Sequence, residues 1–236
     1  MERSPDPRPP AGAAPLGDLD ALACRALGLV RAGRRAVLAI AGSPGAGKTT
    51  LARALVARVD GIAGSGTAVH VPMDGFHLAN ATLDRLGRHD RKGAIDTFDG
   101  WGVLALVRRL RAETDHAVYA PSFDRAVDEG VAGAIPVEPA ARLVVLEGNY
   151  LLVDEDPWAR LAAELDESWY CATPDDARFA RLVDRHTAGG RDADAAAAWA
   201  RDVDGANAVL VEGTRHRADL VVDGTAAGVP EAIGGG

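Results

Sequence analysis

The stretch Gly42-Ser43-Pro44-Gly45-Ala46-Gly47-Lys48-Thr49 constrains this chain more than any other. It fits the pattern G-x-x-x-x-G-K-[ST] and stands between an apolar run, Ala36–Ala41, and a helix-like segment from Lys48 to Val59. Glycines there let the main chain curl so that successive N–H groups face one point. The helix that follows adds the positive end of its dipole at the same place. Such a loop binds phosphate groups. In this arrangement Lys48 reaches the β- and γ-phosphates of ATP, the Thr49 hydroxyl takes Mg²⁺, and Thr50 continues the phosphate-facing turn. Strand, loop and helix in immediate succession call for a parallel α/β sheet.

Composition then removes whole classes of function. The net charge is −8 over 236 residues. A large nucleic-acid or anionic-membrane footprint would need a basic surface, so neither partner is expected. No apolar run approaches the ~18–20 residues of a membrane span. Cys24 and Cys171 lie far apart without metal-ligand spacing. They read as reduced, mostly buried thiols, which points to the cytoplasm. Residues 1–15 carry five prolines and no apolar h-region, which predicts a disordered tail and not a signal peptide. Residues 16–224 are expected to form a single domain, and 225–236 a flexible tail. The expected partner is a small molecule, and a homodimer is compatible with the sequence. Of the 26 basic residues only Lys48 and Lys92 are lysines, so each calls for a reason.

Apolar residues from Leu16 to Val30 recur at helical spacing. Further strands are expected at Ala68–Met73, Leu143–Leu146, Ser168–Ala172 and Leu220–Val222. Helices are expected at Val103–Arg111, Pro174–His186 and roughly Ala193–Val203. The polar, mixed segment from Ala117 to Pro136 reads as a hairpin or excursion on the substrate side. Strands alternating with helices predict an α/β three-layer sandwich, a parallel sheet flanked by helices, with a helical lid. Ligands of such sheets bind beyond the carboxyl ends of the strands. The glycine-rich loop, Asp74 and Glu147 all follow or end strands, so they should meet at one edge.

A loop that binds nucleoside triphosphate does not define a reaction. The N-K-x-D element of guanine-specific switches is absent, because lysine occurs only at 48 and 92 and the second is followed by Gly93-Ala94. The Glu147 strand lacks the Asp-Glu pair that water-activating ATPases use. Transfer to an alcohol instead needs a carboxylate beside the acceptor hydroxyl, cations over the moving group and exclusion of water. Asp74 suits the first role, or else caps the next helix. Glu147 suits a carboxylate that holds Mg²⁺, or else is a solvated strand end. Arg178, Arg181 and Arg185 recur at spacings of three and four, with Arg191 after Gly189-Gly190. They could clamp a phosphoryl group from a lid, or simply be charged surface. Arg91 and Lys92 precede Gly93 in a polar loop that would suit an acceptor site or a solvated turn. His77 and Asp124 are each open to a structural or a substrate-binding reading.

Taken together, Gly42–Thr49, Pro72-Met-Asp-Gly-Phe-His-Leu78, Arg91–Asp99, Tyr119–Arg125, Val145-Leu-Glu-Gly-Asn-Tyr-Leu151 and Arg178–Asn207 resemble the uridine kinase, type I pantothenate kinase and phosphoribulokinase group. They look most like its bacterial nucleoside/nucleotide kinase-like members, some of them associated with fructose transport. The resemblance implies an ATP- and Mg²⁺-dependent P-loop kinase in which Asp74 is the acceptor-side base and Glu147 the Walker-B carboxylate. It implies catalytic roles for Lys48, Arg181 and Arg185, and places Arg178 against the nucleotide. His77, Arg91, Lys92, Tyr119, Asp124 and Asn149 fall on the substrate side. The acceptor would be a hydroxyl of a nucleoside, sugar or pantothenate-like molecule; the alternative is a nucleotide-binding regulatory protein that does not transfer. Two departures bear on the acceptor. Pro121-Ser-Phe-Asp124 replaces the Ser-His pattern of pantothenate and uridine kinases, and His186 stands where uridine kinases usually carry Asp.

Overall fold

The computed structural model describes residues 18–225. The expected tails at 1–15 and 225–236 lie outside them except for Thr225. Strand β1 (Ala36–Ala41) has six residues, all buried. A strand without a polar side chain is stable only inside a parallel sheet covered on both faces. It takes that place in the order β2-β5-β1-β6-β7, with β2 Ala68–Pro72, β5 Leu143–Gly148, β6 Glu167–Ala172 and β7 Leu220–Asp223. Every pairing in this sheet is parallel. Ala41 pairs with Gly148 and Pro72 with Glu147, so the carboxyl ends of β1, β5 and β2 are level. The three polar groups that follow or end them therefore converge.

Side chains alternate across the sheet. Val37, Ala39, Val144 and Leu146 face one core, shared with helix α4 (Gly100–Ala112). Leu38, Ile40, Val145 and Trp169 face the other, under α1 (Leu19–Leu27) and α2 (Lys48–Ala63). This is the expected three-layer arrangement. Of the two thiols expected to be buried, Cys171 is, whereas Cys24 is exposed because α1 turns Leu22, Ala23 and Ala26 to the core instead. At the far end of β1, Arg35 is 1% exposed. Its guanidinium donates to the carbonyls of Leu110, Glu113, Glu138 and Ala141 at 2.7–3.1 Å. The planar fork ties the end of α4 to the approach to β5, a use of arginine that burial alone would forbid.

Several boundaries differ from the sequence reading, each for a local reason. Helix α4 begins at Gly100 because the Asp99 carboxylate accepts from the Gly102 N–H at 2.8 Å, so Asp99 is an N-cap. Helix α3 (Asn80–Leu86) and a 3-10 segment at Trp158–Glu164 were not expected. Helices α5 (Asp175–Ala188) and α6 (Ala193–Trp199) match, but α6 does not stop near Val203. It continues through a π turn, Ala200–Asp204, into α7 (Gly205–Glu212). Gly205 weakens the local helix preference; Val211, buried in the core cluster on that face of the sheet, offsets it. Strands β3 (Val118–Asp124) and β4 (Glu129–Val137) form the expected hairpin, antiparallel and separate from the main sheet.

That hairpin lies directly on the turn that carries Asp74. A Cβ on Gly75 would come 2.5 Å from the Pro121 carbonyl oxygen, and one on Gly130 would come 2.6 Å from that of Gly75. Main chain touches main chain there, and only glycine permits it.

Candidate active site

The glycine-rich loop joins β1 to α2. Gly47, the residue before α2, has φ 91°, a left-handed conformation that a side chain would strain. Lys48 opens the helix and is 8% exposed. Its Nζ donates to the Ser43 carbonyl at 3.1 Å and to Asn149 Oδ1 at 2.8 Å. Burial lowers its pKa, while the charges of Glu147 and Asp74 pull the other way. A phosphate arriving at this ammonium would restore the charge balance that burial disturbs.

Glu147 is 4% exposed and ends β5 beside the loop. Thr49 Oγ1 donates to its Oε1 at 3.0 Å, and His70 Nε2 lies 3.5 Å from the same oxygen. Burial would raise the pKa of this carboxyl; contacts with His70, Lys48 and Thr49 outweigh it and hold the value below normal. The site thus keeps an anion beside a hydroxyl at the mouth of a phosphate loop. Among the described residues no group of three or more His, Cys, Asp or Glu could hold a metal ion. Mg²⁺ does not need one, since it takes one or two protein oxygens and completes its shell with phosphate and water. Thr49 and Glu147 fit that demand.

Asp74 lies in the 3-10 turn Met73–Phe76 after β2. The next helix, α3, has Ala79 as its N-cap and no side-chain cap, so Asp74 does not cap it. Its backbone carbonyl meets the His77 N–H and His77 Nδ1, while its carboxylate has no hydrogen-bond partner among the described residues. Its charge is felt at Lys48 and at Arg185.

The three arginines expected to form a lid descend α5 from the loop toward this carboxylate. Arg178 donates to the Pro44 carbonyl at 3.0 Å and to Asp175 at 2.6 Å, and its Nε is buried without a partner. Arg181 reaches the Gly45 carbonyl at 3.4 Å. Arg185 keeps solvent access, yet the surrounding protein lowers its pKa by desolvation, against the opposing charges of Asp204, Asp74 and Glu147. Spacing of three and four residues thus aligns one arginine with the loop tip and another with the carboxylate pair.

The other expected substrate-side residues separate. His77 is packed between the Phe98 and Phe123 rings, with centroids at 4.0 and 4.8 Å. Lys92 spends its ammonium on protein: Asn80 Oδ1 at 2.6 Å, Asp128 Oδ2 at 2.8 Å and the Asp128 carbonyl, with Phe123 beneath at 5.1 Å. Arg91 pairs with Asp96 at 2.8 Å. Tyr119 and Asp124 are exposed on the hairpin. Asn149 faces Lys48, as above.

Three residues not singled out in the sequence complete the surroundings. Tyr150 donates to the Gly93 carbonyl at 2.6 Å and anchors the Arg91–Gly93 loop. Tyr170 and Glu212 bracket the Ser43 hydroxyl, at 3.1 and 3.3 Å. Tyr150 was visible in Glu147-Gly-Asn-Tyr150; the other two carry no sequence signal.

A phosphate loop, a Thr–Glu pair that fits Mg²⁺, the arginines of α5 and a carboxylate without a hydrogen-bond partner among the described residues gather at one sheet edge, as expected of a P-loop kinase. Comparison with known proteins agrees. Residues 37–227 match the Phosphoribulokinase / Uridine kinase family, and the chain belongs to it. A candidate uridine kinase of Schizosaccharomyces pombe is 37% identical over 175 residues, 72% of this chain and 74% of that protein. The crystal structure of a candidate fructose transport system kinase from Silicibacter sp. TM1040 is 40% identical, covers 86% of this chain and 98% of its own, and superposes with a TM-score of 0.79. YFH7 of Saccharomyces cerevisiae, 19% identical over 87% of this chain and 98% of its own, shares the fold with a TM-score of 0.74. The protein is an ATP-dependent P-loop kinase.

Proposed function

We propose that the protein transfers the γ-phosphoryl group of ATP to a hydroxyl of a small molecule, with Asp74 as the acceptor-side base. The carrying observation is the Asp74 carboxylate. Among the described residues it has no hydrogen-bond partner, it lies under the hairpin at the end of β2, and its charge reaches both Lys48 and Arg185. A carboxylate without a structural duty, set among cations at a phosphate loop, suits the acceptance of a proton.

The chain's residues divide the work. The main-chain N–H groups of the 43–48 loop, Pro44 excepted, and the Lys48 ammonium bind the β- and γ-phosphates and take up their charge. Arg181 and Arg185 close over the moving group and exclude water, and Arg178 steadies the loop from Pro44. The acceptor oxygen bonds to the γ-phosphorus as the bond to the β–γ bridging oxygen breaks. Its proton goes to Asp74, and ADP leaves. Thr49 and Glu147 would hold Mg²⁺, which neutralises phosphate charge. The acceptor lies between Asp74, the hairpin and the Arg91–Gly93 loop, with His77 on the near wall.

The relatives' names, uridine kinase and fructose transport system kinase, make nucleosides and sugars the first acceptors to try. Purified protein with Mg-ATP should release ADP in an acceptor-dependent manner from a panel of nucleosides, ketoses, aldoses and pantothenate. An ADP signal that no member of a broad panel raises above the water-only rate would sink the proposal.

A further inference from the structure

Helix α7 holds both halves of the site by polar bonds, although it belongs to neither. Asn207, 9% exposed, donates from Nδ2 to the Gly93 carbonyl at 3.2 Å, on the acceptor-side loop. Five residues later the Glu212 carboxylate accepts from Tyr170 OH at 2.9 Å and from the Ser43 hydroxyl at 3.3 Å, inside the phosphate loop. Ser43 is 1% exposed, so its hydroxyl has little access to water and relies on these partners. Between the two bonds, Val211 seats the helix on the sheet core. Just before α7, Asp204 in the π turn pairs with His186 of the arginine-bearing α5 at 2.7 Å. Helix α7 and the π turn that leads into it are therefore bonded to the phosphate loop, the acceptor loop and the arginine-bearing α5.

Packing alone would not need this. Apolar residues at 207 and 212 would seat α7 as well and would avoid the cost of burying an amide and partly burying a carboxylate. What the polar bonds add is direction. The Asn207 bond ends on a loop carbonyl and the Ser43–Glu212 bond starts from a loop hydroxyl, so each is made only when that loop has its observed shape, while the Tyr170 bond holds Glu212 from β6.

We propose that Asn207 and Glu212 are positioning residues that couple the two loops through α7: nucleotide phosphates that fix the Ser43 segment hold α7, and α7 in turn holds Gly93 and the Arg91–Gly93 loop before the acceptor arrives. The coupling rests on the reading of 42–49 as the ATP site but on no particular acceptor. Two elements that must each be ordered, joined by a rigid strut, give positive coupling even where no backbone moves far.

Amide hydrogen exchange with Mg²⁺ and a non-hydrolysable ATP analogue tests it. In the wild type the analogue should slow exchange at 42–50 and also at 91–97. Asn207→Ala should keep the first effect and lose the second. Asn207→Asp, isosteric but without a donor for the Gly93 carbonyl, should do the same and guards against a folding failure of the alanine variant. Glu212→Ala should weaken analogue binding about five- to tenfold, in the range of ordinary coupling free energies. Glu212→Gln, which keeps an acceptor oxygen for a hydroxyl, should recover most of it, whereas a merely structural loss would lower the melting temperature without this pattern of rescue. Wild-type protection at 42–50 without any at 91–97, or Asn207 variants with undiminished protection at 91–97, would overturn the coupling while leaving the ATP site standing. Absence of wild-type protection at 42–50 would overturn the ATP reading and the coupling with it.

Discussion

The Thr49 hydroxyl donates to Glu147 Oε1 across 3.0 Å, joining the first turn of α2 to the end of β5. Two residues 98 positions apart thereby present a hydroxyl and a carboxylate to one point at the mouth of the phosphate loop. Thr49→Ala and Glu147→Gln should each lower phosphoryl transfer by about 10²-fold, roughly 2.7 kcal/mol of barrier. The Mg²⁺ concentration for half-maximal rate should rise in both. Titration of the initial rate against Mg²⁺ checks this, and an unchanged Mg²⁺ dependence in either variant removes that residue from the metal site.

Asp74→Asn should cut transfer by at least about 10²-fold, while the affinity for the ATP analogue stays near wild type. The amide keeps the shape and removes the basic oxygen. Calorimetric binding beside an acceptor-dependent ADP assay separates the two effects. Wild-type turnover in the variant would exclude Asp74 as the base.

Gly75→Ala places a Cβ 2.5 Å from the Pro121 carbonyl oxygen and 2.9 Å from the Ser122 nitrogen. The clash is with main chain, which cannot swing aside as a side-chain tip can. The hairpin must lift from the Asp74 turn, at a stability cost of about 1–3 kcal/mol. Turnover should fall more than analogue binding, since the Asp74 turn moves and the phosphate loop does not. Urea unfolding and the two assays above give the comparison.

Arg35→Met should destabilise the fold by about 2–4 kcal/mol, because four carbonyls, two of them in fully buried bonds, lose a shared donor. Arg35→Lys should recover only part, since an ammonium cannot span the fork. Analogue affinity of the folded protein should be unchanged, as Arg35 lies at the opposite end of β1 from the loop. Denaturant melts read the first effect and calorimetry the second.

Burial pushes the Cys171 thiol up to about 11 from its usual 9.0, and its Sγ donates to the Ala46 carbonyl in the phosphate loop at 3.2 Å. The folded state therefore holds this proton more tightly than the unfolded chain. The resulting stability is complete below pH 9 and is lost as pH rises from there through about 11. At full extent it amounts to about 2–3 kcal/mol. Cys171→Ala should flatten that part of the alkaline fall. Unfolding free energies at pH 8 and pH 10.5 for both proteins measure it, and parallel slopes would refute the assignment.

The sequence carried most of the fold and the donor half of the site because both are written locally. A strand such as Ala36–Ala41 declares itself by its unbroken apolar run, and the phosphate loop by glycine spacing that its own backbone needs. Asp74 and Glu147 could be aligned from the rule that parallel strands end at one edge, and the register agrees. Lys92 shows where local reading stops. Its rarity marked it as special, but only the folded chain reveals that Asn80 and Asp128, 12 and 36 positions away, take its ammonium. Asp99 became a helix cap for a similar reason, since its role depends on where α4 starts.

The amino-acid sequence by itself thus determined a parallel α/β kinase whose phosphate loop is Gly42–Thr49. The tertiary structure alone decided what surrounds that loop: the seating of the hairpin on the Asp74 turn, the tie of Tyr150 to Gly93, and the meeting of Ser43 with Glu212 across 169 positions. The physical reason lies in range. Backbone conformation and hydrophobic periodicity act over a few residues and leave a pattern along the chain. A hydrogen bond between distant segments is made only by three-dimensional packing, so one sequence read alone holds no trace of it.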